Sequence, residues 1–246
     1  MLRSVLSSRC LRAWVSAILS CLVLCCTVGL AGNVFAEEKG KSAGKKVRKI
    51  LFLGNSITKH GPSAKIGWHG NWGMAASAAD KDFVHVVVRG LGERNGKDPQ
   101  AMVKTIVDFE RGYAGYDALK SLQKALDFKA DTIVLAIGEN VSALQSEQSK
   151  SKFKSSLLKL LAALQTDNNP TIIVRSSFWA DKTKDQILRQ SCKQVGGIFV
   201  DISSLCKDES TYARAEVDYS HAGVAAHPGD KGMRAIGEAI LKAMEK

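Results

Sequence analysis

The stretch KILFLGNSIT, residues 49–58, decides how the rest of the chain is interpreted. A short unbroken apolar run such as Ile50 to Leu53 is typical of a strand buried on both faces of a sheet. The run ends at Gly54, and Ser56 follows on a turn. Ligands of open α/β sheets bind beyond the carboxyl ends of the strands. Ser56 is therefore either the cap of the next helix or a nucleophile at the edge of a parallel sheet.

Short apolar runs alternate with longer amphipathic segments along most of the chain. The runs predict strands over 48–53, 102–109, 132–137, 171–176 and 197–201. The amphipathic segments predict helices over 72–93, 116–128, 147–166, 183–195 and 230–244. Within the first of these, FVHVVV (83–88) would suit a strand equally well, because its β-branched residues favour strands. The alternation predicts a three-layer α/β/α sandwich with a five-stranded parallel sheet, flavodoxin-like in type.

The first 36 residues differ from the remainder of the chain. Three arginines precede an uncharged apolar run that ends in the small-residue pattern Val34-Phe35-Ala36. This pattern predicts a cleaved signal peptide over 1–36, a basic linker over 37–47 and one domain over 48–246. The alternative is an uncleaved membrane anchor. We expect a secreted or periplasmic protein with no stable membrane insertion after cleavage.

The net charge of +11 raises the question of anionic partners. Much of it lies in KGKSAGKKVRK (39–49), a composition typical of a solvated linker, although attraction to an acidic polysaccharide or envelope surface is the alternative. No nucleic-acid-reading motif accompanies the charge, so we expect no nucleic-acid partner. Cys192 and Cys206 remain after processing, and they are either a disulfide or two buried thiols.

Three residue types needed for acyl transfer follow strands or precede the last helix. A serine nucleophile needs an imidazole to accept its proton, and its tetrahedral intermediate needs hydrogen-bond donors. Ser56 stands at the first strand's end, Asn140 follows the third strand, and His227 precedes the final helix. Each alone is explained by capping, by a turn or by a helix start. Their joint occurrence in this order favours an active site.

Three segments resemble the conserved blocks of a known superfamily. FLGNSIT near the start of the domain, IGEN after the third strand and HPGDKGM before the last helix are similar to those of the SGNH (GDSL-like) hydrolases, mostly esterases, including deacetylases of carbohydrates. The resemblance covers residues 48–244. It implies Ser56 as nucleophile, His227 as base, Asn140 as oxyanion donor and Gly112 as a backbone donor, with Gly73 as the rival glycine.

The sequence departs from the superfamily pattern at the position of the acid. That acid normally lies three residues before the histidine, where this chain has Val224. Asp218 and Glu216 are the nearest upstream carboxylates and the candidates to replace it. The alternative is a Ser-His dyad in which a backbone carbonyl holds His227, and catalysis partly survives the loss of triad members.

The segment GWHGNWG (67–73) closely follows the nucleophile turn. Trp68 and Trp72 have indole faces that suit sugar rings, although packing of a loop against the sheet explains them equally well. Tyr113 and Tyr116, after the second predicted strand, are further candidates to line the cleft. His60 and His69 lack further ligands at metal-binding spacing, so we expect no metal and no cofactor.

The sequence thus predicts an exported serine esterase that acts through an acyl-enzyme. The resemblance implies an O-acetyl group on a carbohydrate as the first choice of substrate, in a small molecule or a polysaccharide, and a lipid or short-chain ester as the second. Two rival classes share this fold. One is a non-catalytic carbohydrate-binding module, which Val224 favours. The other is a phosphate-binding domain, which lacks a glycine-rich loop here and leaves HPGDKGM unexplained.

Overall fold

A computed structural model describes residues 46–165 and 168–245 of the chain. The predicted signal peptide (1–36) and all but the last two residues of the predicted linker (37–47) lie outside the described residues. Within the described ranges, no helix is both long enough and apolar enough to cross a membrane.

Five parallel strands form one sheet in the order β2-β1-β3-β4-β5. They are β1 (Lys49–Gly54), β2 (Gln100–Thr105), β3 (Thr132–Ala136), β4 (Thr171–Arg175) and β5 (Ile198–Val200). Residues 50–54 of β1 and all of β3 are buried. Both faces of these strands are covered, which is why their sequences are nearly all apolar.

Helices cover both faces of the sheet and give the predicted three layers. They are α1 (Phe83–Asn95), α2 (Val107–Gly112), α3 (Ala118–Ser121), α4 (Gln123–Asp127), α5 (Glu147–Leu164), α6 (Lys182–Gln194), α7 (Ala222–Ala225) and α8 (Asp230–Ala243). Ile50 and Phe52 of β1 face a core shared with α1 and α8. Leu51 and Leu53 face the opposite core with α5 and α6. The fold class is therefore as the sequence predicted.

Three predicted element boundaries are wrong. Residues 72–82 are loop and a 3-10 turn, because Asp82 caps a helix that begins only at Phe83, its carboxylate accepting the His85 N–H at 2.9 Å. Within this predicted helix, FVHVVV is helical as predicted, since burial of one face of α1 against α8 overrides the β propensity of these residues. The segment predicted as one helix over 116–128 is two short helices, α3 and α4.

The wrong boundaries are therefore those of the helices predicted over 72–93 and 116–128 and, third, that of β2, which ends at Thr105 rather than at residue 109. The helix α2 begins two residues later, so Phe109 and Glu110 lie on a helix and not at the end of a strand. This difference moves Gly112 to the far end of α2, which matters for the oxyanion donors below.

The two cysteines are free thiols on opposite faces of the sheet. Cys192 on α6 is buried in the core that α5 and α6 share. Cys206 packs against the other core, and its thiol donates to the Ser203 carbonyl at 3.3 Å. The disulfide alternative is therefore not realised, and the free-thiol alternative holds, with Cys206 only partly buried.

Candidate active site

The candidate site lies where the chain changes direction across the sheet. β1 stands between β2 and β3, and the chain moves outward to opposite edges from there, which opens a crevice at the strand ends. Ser56 follows β1 and Asn140 follows β3 at this crevice. Only a glycine fits at Gly54, at the end of β1, because a Cβ there would lie 2.8 Å from the Ala136 carbonyl oxygen of β3.

Ser56 and His227 are joined by a hydrogen bond. The Ser56 Oγ lies 2.8 Å from His227 Nε2, and His227 Nδ1 lies 2.6 Å from the Gly223 carbonyl oxygen. A carbonyl oxygen can only accept, so Nδ1 carries the proton of a neutral ring. Nε2 then has its lone pair available for the Ser56 hydroxyl proton, which is the arrangement that a general base requires.

His227 is largely buried. The residue is 8% exposed, and the Trp179 ring packs edge-on against the imidazole with 5.3 Å between ring centroids. The Trp179 indole in turn donates to the Ala226 carbonyl at 3.2 Å. Burial lowers the pKa of His227 below its usual 6.5, outweighing the opposing effects of the Gly223 carbonyl and the Glu139 charge. The imidazole is therefore neutral, and competent as a base, at neutral pH.

Neither upstream carboxylate occupies the place of a triad acid. Nδ1 of His227 is taken by the Gly223 carbonyl, and Asp218 is exposed. Glu216 instead caps α8, since its carboxylate accepts the Asp230 and Lys231 N–H groups at 2.6 and 2.8 Å. Val224 is buried in an apolar cluster. A backbone carbonyl therefore holds His227 Nδ1, as in the dyad alternative, and Asp218 does not occupy the position predicted for the acid.

Asn140 lines the same pocket as Ser56, and Glu110 fixes its orientation. The Asn140 amide nitrogen donates to Glu110 Oε2 at 2.9 Å, and its backbone N–H donates to Oε1 at 3.1 Å. Glu110 also accepts the Gly138 N–H at 2.7 Å and the Asn55 amide at 3.2 Å. All four groups are donors, so they suit an ionised carboxylate. Since an amide nitrogen carries two hydrogens, Asn140 keeps one for an oxyanion.

Asn55 bridges two buried carboxylates beneath the nucleophile. Its amide donates to Glu139 Oε2 at 2.7 Å as well as to Glu110, and Glu139 Oε1 lies 2.6 Å from Arg175 Nη1. Burial and the neighbouring Glu139 charge raise the pKa of Glu110. Burial also opposes ionisation of Glu139, but Arg175 and the donors around it outweigh that effect and lower its pKa. An aspartate in place of Asn55 would add a third negative charge here.

The two glycines considered as oxyanion donors do not serve. Gly112 is exposed at the last position of α2 and is not among the residues that line the pocket. The Gly73 N–H is used by Asp82, whose Oδ2 accepts it at 2.9 Å. The Ser56 N–H forms no hydrogen bond within the described residues and remains available beside the nucleophile. Asn140 and Ser56 are thus the donors that the geometry provides.

An open pocket of about 500 Å³ surrounds Ser56 Oγ. Its lining includes Asn140, His227, Lys59 and Arg111. The tryptophans of GWHGNWG do not line it. Trp68 is buried with its indole donating to the His60 carbonyl at 3.0 Å, and the Trp72 indole donates to the Ala76 carbonyl at 2.9 Å. The loop-packing alternative explains both residues.

The aromatic residues after β2 are also structural. Tyr113 packs edge-on against Phe153, with 5.2 Å between ring centroids, and Tyr116 packs against Phe109 at 5.4 Å. His60 lines the pocket and His69 is exposed. Across the described ranges, no three histidine, cysteine or acidic side chains are grouped as a metal site.

Sequence reasoning missed the residues that hold the catalytic groups. The Gly223 carbonyl carries no side-chain signal, and neither Glu110 nor Arg175 was among the predicted site residues. The one available signal was charge in an apolar context: Arg175 ends the otherwise apolar segment TIIVR. A buried cation requires a buried anion, and Glu139, at the neighbouring strand end, supplies it.

Comparison with known proteins identifies the fold. No protein-family model matches the sequence. No curated protein matches it either. Among solved structures, it is similar to a lipase/acylhydrolase from Enterococcus faecalis, with a TM-score of 0.55 and 16% identity, covering 80% of this chain and 95% of that one. A lipase from a goat rumen metagenome gives a TM-score of 0.52 and 15% identity, covering 80% and 97%.

A two-domain esterase active on acetylated mannans, co-crystallised with mannopentaose, is also similar, with a TM-score of 0.53 and 14% identity. The match covers 80% of this chain and 49% of that one, so this chain spans about half its length. These neighbours share the fold of this chain and confirm the predicted three-layer α/β/α architecture.

Proposed function

We propose that the chain is a serine esterase that works through an acyl-enzyme on Ser56. The observation that carries this proposal is the 2.8 Å contact between Ser56 Oγ and a buried His227 Nε2 whose other nitrogen donates to the Gly223 carbonyl. A cap for a helix would need no such partner. The solved structures of similar fold include lipases and an esterase, which supports the same class.

The chemistry follows from the geometry. Ser56 Oγ attacks the ester carbonyl carbon while its proton passes to His227 Nε2. The Asn140 amide and the Ser56 N–H donate to the oxyanion. Collapse of the intermediate expels the alcohol, which takes the proton from Nε2. Water then attacks the acyl-serine and gives a proton to Nε2. As the bond between the acyl carbon and Ser56 Oγ breaks, Nε2 returns this proton to Oγ, and the carboxylic acid leaves.

The substrate in this proposal is an O-acetyl ester on a carbohydrate. The pocket is much larger than an acetyl group, so it leaves space for a bulky alcohol such as a sugar. One protein of similar fold is described as active on acetylated mannans. The proposal includes export of the protein, which rests on the apolar run and the small-residue pattern of residues 1–36.

Labelling with a serine-directed phosphonate tests the reaction class. The reagent should modify Ser56 and no other serine, as peptide mapping by mass spectrometry would show. Ser56→Ala and His227→Ala should each remove most hydrolysis of an acetate ester, and the double variant should be little worse, because the two residues act as a unit. Asn140→Ala should lower kcat by about 10²- to 10³-fold.

Asp218→Asn is the matched control variant. Asp218 is exposed and His227 Nδ1 is held by the Gly223 carbonyl, so we expect nearly normal activity. Full esterase activity in Ser56→Ala would refute the proposal, and absence of both labelling and hydrolysis in the wild type would favour a binding module on this fold.

A further inference from the structure

The rim of the pocket around Ser56 carries positive charge without a carboxylate to balance it. Lys59 and Arg111 both line the pocket. Neither takes part in an ion pair or a side-chain hydrogen bond within residues 46–165 and 168–245. No aspartate or glutamate of these ranges is among the lining residues. The two cations are therefore available to a ligand.

The position of these cations relative to the nucleophile is set by the fold. Lys59 lies three residues after Ser56, at the end of the nucleophile turn, and Arg111 lies on α2, which follows the neighbouring strand β2. Both therefore come from the strand ends that border the crevice on the β2 side. Many other surface lysines and arginines of the described ranges are also outside ion pairs, so these two cations are distinguished by their place in the lining of the pocket around Ser56.

The two carboxylates buried beneath the site, Glu139 and Glu110, do not cancel this charge, and Asp108 of α2 is not among the lining residues. Glu139 is buried and paired with Arg175. Glu110 is buried beneath Asn140, and its oxygens are covered by the Gly138 and Asn140 N–H groups and by two side-chain amides. A cleft with one sign of charge on low-dielectric walls concentrates ions of the opposite sign. Arg111 also presents a planar fork that matches carboxylate or phosphate oxygens.

We propose that the ester substrate is anionic: an acylated sugar that carries a carboxylate or phosphate group, which Lys59 and Arg111 bind while Ser56 attacks the ester. This inference rests on the proposed esterase function and names its substrate class. It makes Lys59 and Arg111 specificity-determining residues.

Matched acetate esters test the inference. The set consists of methyl glucoside 2-O-acetate, the corresponding glucuronate, and the corresponding 6-phosphate, and acetate release gives kcat/KM for each. We expect the wild type to prefer at least one anionic ester over the neutral one by about tenfold at low salt, a value typical of a hydrogen bond to a charged group. The preference should shrink at 0.5 M salt, since exposed charges are screened.

Variants assign the preference to these residues. Lys59→Met and Arg111→Gln should each lower the ratio of kcat/KM between the anionic and neutral esters, and together they should bring it close to one. The control is Lys242→Met, which also removes one positive charge. Lys242 lies near the C-terminal end of α8, about 20 Å along the helix from its first residue. Its ratio should match that of the wild type.

Equilibrium binding separates this inference from the proposed function. The Ser56→Ala variant should bind the anionic ester more tightly than the neutral one, as measured by calorimetry. If the wild-type protein hydrolysed none of the three esters but bound the anionic ones more tightly than the neutral one, the charge inference would be supported and the esterase proposal refuted. Equal kcat/KM for all three esters, or a preference that persists in the double variant, would overturn the charge inference and leave the esterase standing.

Discussion

A single backbone carbonyl occupies the position beside His227 Nδ1 that the acid of a catalytic triad would take. The Gly223 oxygen fixes the tautomer of His227 as a carboxylate would, but it is neutral and stabilises the imidazolium less. The buried Glu139 charge raises the pKa of His227 and offsets part of that difference. Burial still dominates and lowers the pKa, so the ring is neutral at neutral pH.

The lowered pKa predicts the acid limb of the pH profile. The base must be neutral, so activity is lost as pH falls through the pKa of His227 in the folded protein. Because burial holds that pKa below 6.5, the midpoint of the limb in kcat/KM should lie below pH 6.5, with a plateau above it. Initial rates across buffers of constant ionic strength measure it, and a midpoint at or above pH 7 would contradict the assignment.

Glu110 holds the Asn140 amide, which is the oxyanion donor of the proposed mechanism, and this contact predicts the behaviour of Glu110→Gln. The new amide nitrogen would face a group that now donates, either the Asn140 amide or the N–H groups at Glu110 Oε1. Asn140 should lose its orientation, and kcat should fall by about tenfold or more, with little change in KM, because the oxyanion forms only during reaction.

Steady-state kinetics on an acetate ester separate the two parameters, with thermal unfolding as a check on folding. A rise in KM at constant kcat would contradict the positioning role of Glu110. The His227 acid limb should persist in the variant, which distinguishes a displaced donor from a damaged base.

The ends of β3 and β4 are joined by an ion pair that lies under the site. Arg175 and Glu139 are 0% and 1% exposed, and their closest atoms are 2.6 Å apart. Arg175 Nε and Nη2 have no partner within the described residues, so the pair is incompletely satisfied. Such a pair contributes little net stability, but breaking it leaves an uncompensated buried charge.

Arg175→Met should therefore lower the free energy of unfolding by about 3–5 kcal/mol. The double variant with Glu139→Gln should lose clearly less than the single variant, since no buried charge is left unpaired. Urea unfolding followed by circular dichroism gives both values. A double variant as unstable as Arg175→Met would show that packing, and not charge, accounts for the loss.

Elements were predictable from sequence where burial alone decides them. The apolar runs at β1, β3 and β4 gave correct strands because both faces are covered. FVHVVV was ambiguous because its helix depends on packing against α8, a contact remote in sequence. Ser56, His227 and Asn140 were predicted from their places after strands and before the last helix, together with the resemblance. The prediction of Gly112 as a backbone donor was wrong because β2 ends earlier than its apolar run suggests. The role of Gly223 could not be predicted because it contacts His227 through its backbone carbonyl.

The three-layer architecture of the whole molecule separates its two described cysteines. Cys192 lies in the core between the sheet and α5 and α6, whereas Cys206 packs on the side of α1 and α8. A disulfide requires Cα atoms within about 7 Å, which residues on opposite faces of a sheet do not reach. Burial raises the pKa of Cys192 to about 11, so its thiol should be unreactive in the folded protein.

These positions predict the behaviour of the chain that begins at Glu37, which retains only Cys192 and Cys206. A thiol reagent should titrate two thiols after unfolding without reductant, and in the folded state the partly buried Cys206 should react well before Cys192. Reductant should leave Tm unchanged, because no cross-link constrains the unfolded state. A Tm that falls on reduction, or an unfolded chain with no titratable thiol, would mean that the two faces of the sheet are not occupied as described.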